Sequence, residues 1–482
     1  MKVQLSDDII VDSAVNAQTI DIAFEQWLSY QGRYNTLRDY YLGKQPLDPE
    51  AHGPEQNHVI ANHCRYITDV LVGYQLGNEP RYNADDADAP GQAILDIFKA
   101  QDKWNVEINI AEDMSRYGRT NELVFTPKDK DEPNSIEVDP MHGFVAYAGD
   151  IERDSVFGVV VFSYTDNNRR TIYRLYVYDA VELSVWEADS AQQSPRTWTM
   201  IEPAKPHGFG RVPLIEYKNN RQGLSDFEGI LELQDAYNGL LSDRQDNQDS
   251  FAQAMLVLSG AVIGVTPDEI QQNKGKLKRT AVLQLDEDAV AQYLVKTSDE
   301  AGVQIVQEEY SRLIHKLCMV PDLSDEKFSG NASGVAMAYK LFGTDQIVSR
   351  KQAQMQKGFT RRCKLYDYRI NNPTMNPSYE PTADIDHMTI AFNLNAPQDL
   401  SYMATAITQL TGGGKVMSLQ TARGLLSAIP DPEMETELVN EENEEEAQRT
   451  RDTFDYDAVE ESRKKITADM NEDEDGQDST EE

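Results

Sequence analysis

With 482 residues, 40% of them hydrophobic, the chain is long enough for roughly two to four folded units with cores of their own. The formal net charge is -37; Asp431 to Glu482 alone holds 22 acidic against 5 basic residues, so -20 remains on the preceding body and both parts are acidic. Such a surface excludes a protein that wraps duplex DNA by neutralising phosphates, because that requires clustered Lys and Arg.

The opening MKVQLSDDII lacks the basic end and long apolar run of a secretory signal. No apolar window of about 18 residues offers a membrane span, so the reading is of a protein made and kept in a cytosol, with no membrane partner. Cys64, Cys318 and Cys363 lie far apart and form no CxxC, which points to buried free thiols and not to a disulfide framework or a cysteine zinc site.

In chain order, FEQWLSYQGRYNTLRDYYLG and HVIANHCRYITDVLVGYQLG, within about 17–46 and 57–77, space apolar residues as amphipathic helices do. A further helical stretch, QAILDIFKAQDKWNVEINIAEDMSRYG, gives way to ELVFTP, GFVAYA, FGVVVFSYT, TIYRLYVYD and VELSVWEA, whose alternating, β-branched and aromatic residues predict strands. Ser225 and Glu228 form a capping box ahead of a helix of about nine turns, if unbroken, toward residue 258. Thr297 and Glu300 form a second one ahead of SDEAGVQIVQEEYSRLIHKLCMV. Between them lies a short insert that reads as strand, short helix and two strands. Pro321 stops the second long helix, since its ring fixes φ and removes a donor. Ser333 then caps a helix from about Gly334 toward Asn371, followed by a strand-like MTIAFNL and the helical stretches SYMATAITQL, SLQTARGLLSAI and DPEMETELVNEENEEEAQ. The last thirty or so residues are acidic, poor in large apolar groups and expected to be disordered.

Several motifs fail on inspection. TGGGKV around Lys415 lacks two Walker A positions, which are Gln409 and Val416 here, and Lys340 falls well inside a helix after Gly330 and Gly334. His58 and His63 would stand about 140° apart on one helix, so they and Cys64 read as packing residues and not as metal ligands. In the tail, Asn471, Asp473, Asp475, Gly476 and Glu482 fit a calcium loop except for the Asn at its first position, and so acidic a segment yields chance matches. No local motif supports a nucleophilic set, and no catalytic residue, metal or cofactor is expected.

Two features stand out. Asp243, Asp246 and Asp249 recur at i, i+3 and i+6 between apolar turns, either on a solvated outer face or lining a water-filled channel. Lys274, Lys276, Lys278 and Arg279 make a basic knot in the insert, either a solvated turn or a docking point for an acidic partner.

The order of parts, together with NHVIANHCRYITDVLVGYQLGNEPRY, the block VPLIEYKNNRQGLSDFEGILELQDAYNGLLSDRQDN, SGNASGVAMAYKLFG and FNLNAPQDLSYMATAITQL, resembles the portal proteins of tailed bacteriophages, specifically the SPP1-type family. The likeness extends to about residue 448, and the block from Val212 to Asn247 is its most specific part. The resemblance implies an α+β, mainly α portal fold, with wing, stem, clip and crown arranged as a ring around a central channel. Carried over, 1–223 is the wing, 224–258 and 298–320 are the stem helices, and 259–297 is the clip. Residues 321–333 are the tunnel loop, 334–395 a long helix and strand returning to the wing, 396–448 the crown, and 449–482 a tail with no family role.

The resemblance further implies a dodecameric homo-oligomer at one capsid vertex, assembled in the host cytoplasm and kept in the virion. Terminase drives double-stranded DNA through it non-specifically, and a head-completion adaptor docks later; capsid and scaffolding proteins are further partners. Asp243, Asp246 and Asp249 become channel-lining candidates. Asp322, Asp325, Glu326, Lys327 and Asn331 fall in the tunnel loop, where Lys327 meets phosphate only in passing. The cations Lys274, Lys276, Lys278 and Arg279 become the partner-docking part of the clip. The competing readings are another virion component, adaptor or scaffold-like, and a nucleotide-dependent DNA-processing enzyme.

Overall fold

The computed structural model describes residues 3–5, 15–46, 57–252, 255–259, 290–294, 300–323, 334–371, 382–395, 400–412, 416–424, 426, 429 and 432–474. Two compact units divide the chain, Met1–Leu394 and Asn395–Glu482.

The first unit opens with strand β1 (Val3–Leu5) and helices α1 (Ala17–Leu28), α2 (Gln31–Tyr41) and α3 (His63–Leu76). Strand β2 (Arg81–Asn83), α4 (Ala89–Ala100) and α5 (Lys103–Tyr117) follow. Eight strands come next: β3 (Arg119–Phe125), β4 (Asn134–Val138), β5 (Gly143–Ala148), β6 (Ser155–Thr165), β7 (Thr171–Tyr178), β8 (Glu182–Asp189), β9 (Thr199–Pro206) and β10 (Leu214–Lys218). After a 3₁₀ turn at Glu228–Ile230 the chain forms α6 (Leu231–Ala252), β11 (Met255–Ser259), β12 (Val290–Leu294), α7 (Glu300–Cys318), α8 (Gly334–Asn371) and β13 (Thr389–Ala391). Helices hold more of the described chain than strands, an α+β composition weighted to α.

One sheet has the order β1-β5-β6-β7-β8-β9, antiparallel except for the parallel β1–β5 pair, and a second has the order β10-β3-β4. The larger sheet buries one face under α1, where Ile20, Phe24 and Trp27 meet Phe157, Val159, Leu175 and Trp186. Asn16 starts α1 by accepting from the Gln18 and Thr19 amides while the Thr19 hydroxyl accepts from the Asn16 N–H, a reciprocal cap. The other face, through Val145, Tyr147 and Val160, packs on Leu123, Val138, Val212 and Leu214 of the second sheet and its lead-in. Strand β5, covered on both sides, is buried along its whole length.

A third core gathers Ile94, Leu95 and Phe98 of α4, Ile110 and Met114 of α5, and Met355, Phe359, Cys363 and Tyr366 of α8. Each such side chain contributes about 1.5–3 kcal/mol on full burial. Gly358 lets α8 lie directly on β10, since a Cβ there would stand 2.0 Å from the Tyr217 ring. The helix is also fixed by charge. Arg362, fully buried, meets Glu107 at 2.5 Å and Glu122 at 2.6 Å. Glu122 in turn accepts from the Tyr217 hydroxyl at 2.7 Å. Burial opposes the charge on Glu122, yet Arg362 and these hydrogen bonds hold it below the usual carboxylate range. Nearer the start of α8, Lys351 pairs with Asp226, and β13 closes the unit by pairing with β2.

The structure departs from the sequence expectations at five places. The helix expected over 57–77 begins only at His63, capped by Asn62, and residues 57–62 run extended. The helix expected to reach 258 stops at Ala252, and Met255–Ser259 is a strand paired antiparallel with Val290–Leu294, as its β-branched and aliphatic run allows. The expected helical stretches over 17–46 and after Pro90 are each two helices, α1 with α2 and α4 with α5. In the second unit, α9 (Leu400–Gly412) and α10 (Leu419–Gly424) precede α11 (Pro432–Glu474), so the expectation of disorder beyond 448 does not hold through Glu474. Glu, Lys and Arg are good helix formers, and the i, i+4 pairs Glu445–Arg449 and Glu460–Lys464 support a helix that is polar all round.

Candidate functional site

The site is built on α6 and α7, which run antiparallel: Arg244 on α6 bonds Gln307 at 2.8 Å and pairs with Glu300 at 3.4 Å. Ahead of α6 only half of the capping box expected at Ser225 and Glu228 forms, since the Ser225 hydroxyl meets the Phe227 N–H and not that of Glu228. The Glu228 carboxylate accepts from the Ser225 N–H at 3.1 Å, and the Ser225 hydroxyl accepts from the Phe227 N–H. Arg33 of α2 holds Glu228 with two guanidinium nitrogens and also donates to the carbonyls of Tyr117 and Gly223, so the first turn is tied to the α+β core.

Along one side of α6 lies the extended segment 57–62. Its amides are taken in register: Asn57 N–H by Asp246, Val59 N–H by Ser242 and Ala61 N–H by Asn238, at 2.8, 3.0 and 3.0 Å. Gln234 completes the ladder by donating to the Ala61 carbonyl at 2.7 Å. Four residues of helix rise about 6 Å, and two residues of extended chain about 6.6 Å. Polar side chains at 234, 238, 242 and 246 therefore match alternate residues of the strap. The sequence reading missed this stripe, although four polar side chains at strict i+4 spacing within an otherwise amphipathic helix were its visible signal.

The acidic stripe divides on this frame. Asp246 is half-buried and accepts from both the backbone and the side chain of Asn57, and Asp249 accepts from the Asn57 side chain at 2.6 Å and from Gln245 at 3.1 Å. Asp243 is exposed on a different side of α6, together with Glu232 and Ala236. With about 100° between successive residues, α6 shows three sides, one to the strap, one to α7 through Tyr237 and Arg244, and one carrying Asp243.

At the far end of α7, His63 and His315 come together. Their rings are 5.9 Å apart and perpendicular, and His63 also bonds Gln234 at 3.0 Å and meets the Tyr237 ring. Burial pulls the His63 pKa down, and Gln234 opposes this only in part. His63, Tyr237 and His315 line a cleft of about 330 Å³ with Asn62, Tyr66, Ser311 and Asp322. His58 lies in the strap and not beside His63 on a helix, and among the described residues no group of three metal-ligating side chains forms. Cys64, Cys318 and Cys363 are buried, unbridged thiols, with burial raising the pKa of each.

Of the tunnel-loop candidates only Asp322 is among the described residues; Asp325, Glu326, Lys327 and Asn331 lie outside them, as do Lys274, Lys276, Lys278 and Arg279, the helix cap Ser333 and Lys415. No described helix is long and apolar enough to cross a membrane.

Among known proteins, the portal protein of Bacillus phage SPP1 is 25% identical over 311 residues, which cover 62% of this chain and 59% of that protein, less than two thirds of its length. The family model described as phage portal protein, SPP1 Gp6-like, matches residues 21–449, and the chain belongs to that family.

Proposed function

We propose that this chain is the subunit of a ring-shaped channel through which double-stranded DNA enters and leaves a phage capsid. The observation that carries the reading is the α6–α7 pair: two antiparallel helices, tied at one end to an α+β body and continued at the other by the β11–β12 ladder around an insert. In a ring, α6 and α7 serve as stem, residues 259–297 as clip, the α+β half as wing and residues 396–448 as crown. A dodecamer at one capsid vertex then meets terminase and later the head-completion adaptor at the clip, with capsid and scaffolding proteins around the wing. The subunit has no catalytic role.

Within the acidic stripe, Asp243 is the candidate for the bore because it stands exposed with Glu232 and Ala236 on a side of α6 that faces neither the strap nor α7. A carboxylate repeated around the bore repels the phosphate backbone and leaves moving DNA no deep binding site at which to stall. Electron microscopy of the purified protein tests the reading: rings with a central hole are expected, and particles that stay monomeric at every concentration would overturn it. A nucleotide-dependent enzyme would instead hydrolyse ATP in a purified assay, where none is expected.

A further inference from the structure

The chain leaves α7 through residues 319–323, and side chains from three helices take its backbone groups one after another. The Met319 carbonyl accepts from the Thr344 hydroxyl of α8 at 2.8 Å. The Val320 carbonyl accepts from His315 Nδ1 at 3.2 Å, and because a carbonyl only accepts, Nδ1 carries the proton. The Tyr66 hydroxyl of α3 donates to the Pro321 carbonyl at 2.9 Å and accepts from the Leu323 N–H at 3.0 Å. His315 is itself wedged between the Tyr66 ring at 5.4 Å and the His63 ring at 5.9 Å, with Nε2 3.9 Å from the Asp322 carboxylate.

Surface connections ordinarily satisfy many of their backbone groups with water. Here Val320 and Thr344 are buried, and Met319 holds a left-handed φ of 53° at the position after the helix that glycine usually takes. Gly343 permits the approach of α8, since a Cβ there would lie 3.3 Å from that of Met319.

We infer that Tyr66, His315 and Thr344 form a clamp that fixes the direction in which the chain leaves the second stem helix. Tyr66 and Thr344 belong to helices rooted in the α+β core, so a pull on the chain beyond residue 323 passes into that core and does not unwind the end of α7. The inference concerns the exit itself; its bearing on DNA passage rests on the channel reading above.

Tyr66→Phe keeps the ring and removes the hydroxyl that makes two of the bonds. Hydrogen exchange followed by mass spectrometry on the full chain should show peptides spanning 319–323 exchanging at least about tenfold faster, with the melting temperature falling by no more than the few degrees that two lost hydrogen bonds account for. His315→Leu should do the same, while His315→Asn, whose amide can replace the Nδ1 donor, should restore protection. Unchanged exchange in both Tyr66→Phe and His315→Leu would overturn the clamp. In a packaging assay, Tyr66→Phe should assemble normally and lower the yield of filled capsids at least tenfold; faster exchange with normal yield would overturn the role in DNA passage. Failure of the wild-type chain to form rings would count against the channel reading alone, because the exchange measurement judges the clamp without it.

Discussion

Arg362 sits on the inner face of α8 with no exposure to solvent, and its guanidinium is shared by Glu107 and Glu122. Removing one partner of a buried ion pair leaves the other charge uncompensated, so Arg362→Met should lower unfolding free energy by about 3–5 kcal/mol, read from the urea midpoint at unchanged slope. Burial pushes Glu107 up against the pull of Arg362, which makes it the glutamate that takes a proton first in the variant. His63 gives the second test at this scale. Its folded pKa is lowered by burial, so between that value and the ordinary 6.5 the unfolded chain binds more protons than the folded one. The contribution is complete above about pH 6.5 and is lost as pH falls through the folded pKa. Stability of the wild type should therefore decline more steeply from pH 7 to pH 5 than that of His63→Gln; parallel curves would assign the decline to other groups.

Among the elements, the strap and α6 behave as one piece, and the two kinds of aspartate on α6 should separate by stability. Asp246→Ala strips two acceptor bonds from Asn57 and should cost about 1–2 kcal/mol, while Asp243→Ala, on an exposed side, should stay within about 0.5 kcal/mol. Equal effects in thermal unfolding would contradict the division of the stripe. The contrast also shows what sequence alone made legible. The Ser225–Glu228 contact, the stop before Pro321, strands β3 and β5 to β8 and the span of α8 depend on local chemistry, namely caps, proline and apolar period, whereas β1, β2, β4, β9 and β10 were not foreseen. The strap was unreadable because residues 57–62 make no pattern of their own; their conformation is dictated by side chains more than 170 positions away on α6. The acidic spacing of 243, 246 and 249 was plain, but which side each faces depends on where the strap and α7 lie. The loss of helix before Met255 likewise follows from pairing with residues 290–294, a contact across the insert.

For the whole molecule, net charge and assembly have to be considered together. In the ring proposed above, a formal charge of -37 on each subunit is multiplied, and its bore is expected to be strongly negative unless cations line it. The basic knot Lys274, Lys276, Lys278 and Arg279 is the exception in sequence, and converting these four to Ser or Glu should spare ring assembly while reducing packaging or adaptor attachment; normal virion yield would refute that docking role. The bore itself is tested by reversing a single charge. Asp243→Lys in every subunit replaces a repulsive ring by one that attracts phosphate, and each lysine that meets the backbone releases condensed counterions. DNA should then pause, so packaging should slow at low ionic strength. The defect should shrink as salt is raised, since the screening length falls from about 30 Å at 0.01 M to about 10 Å at 0.1 M. Asp243→Asn, which removes charge without creating attraction, should package at close to the wild-type rate, which separates stalling from simple loss of a carboxylate. If the Lys variant packages normally at low salt, Asp243 does not face the DNA, and the third side of α6 is instead covered by a neighbouring subunit.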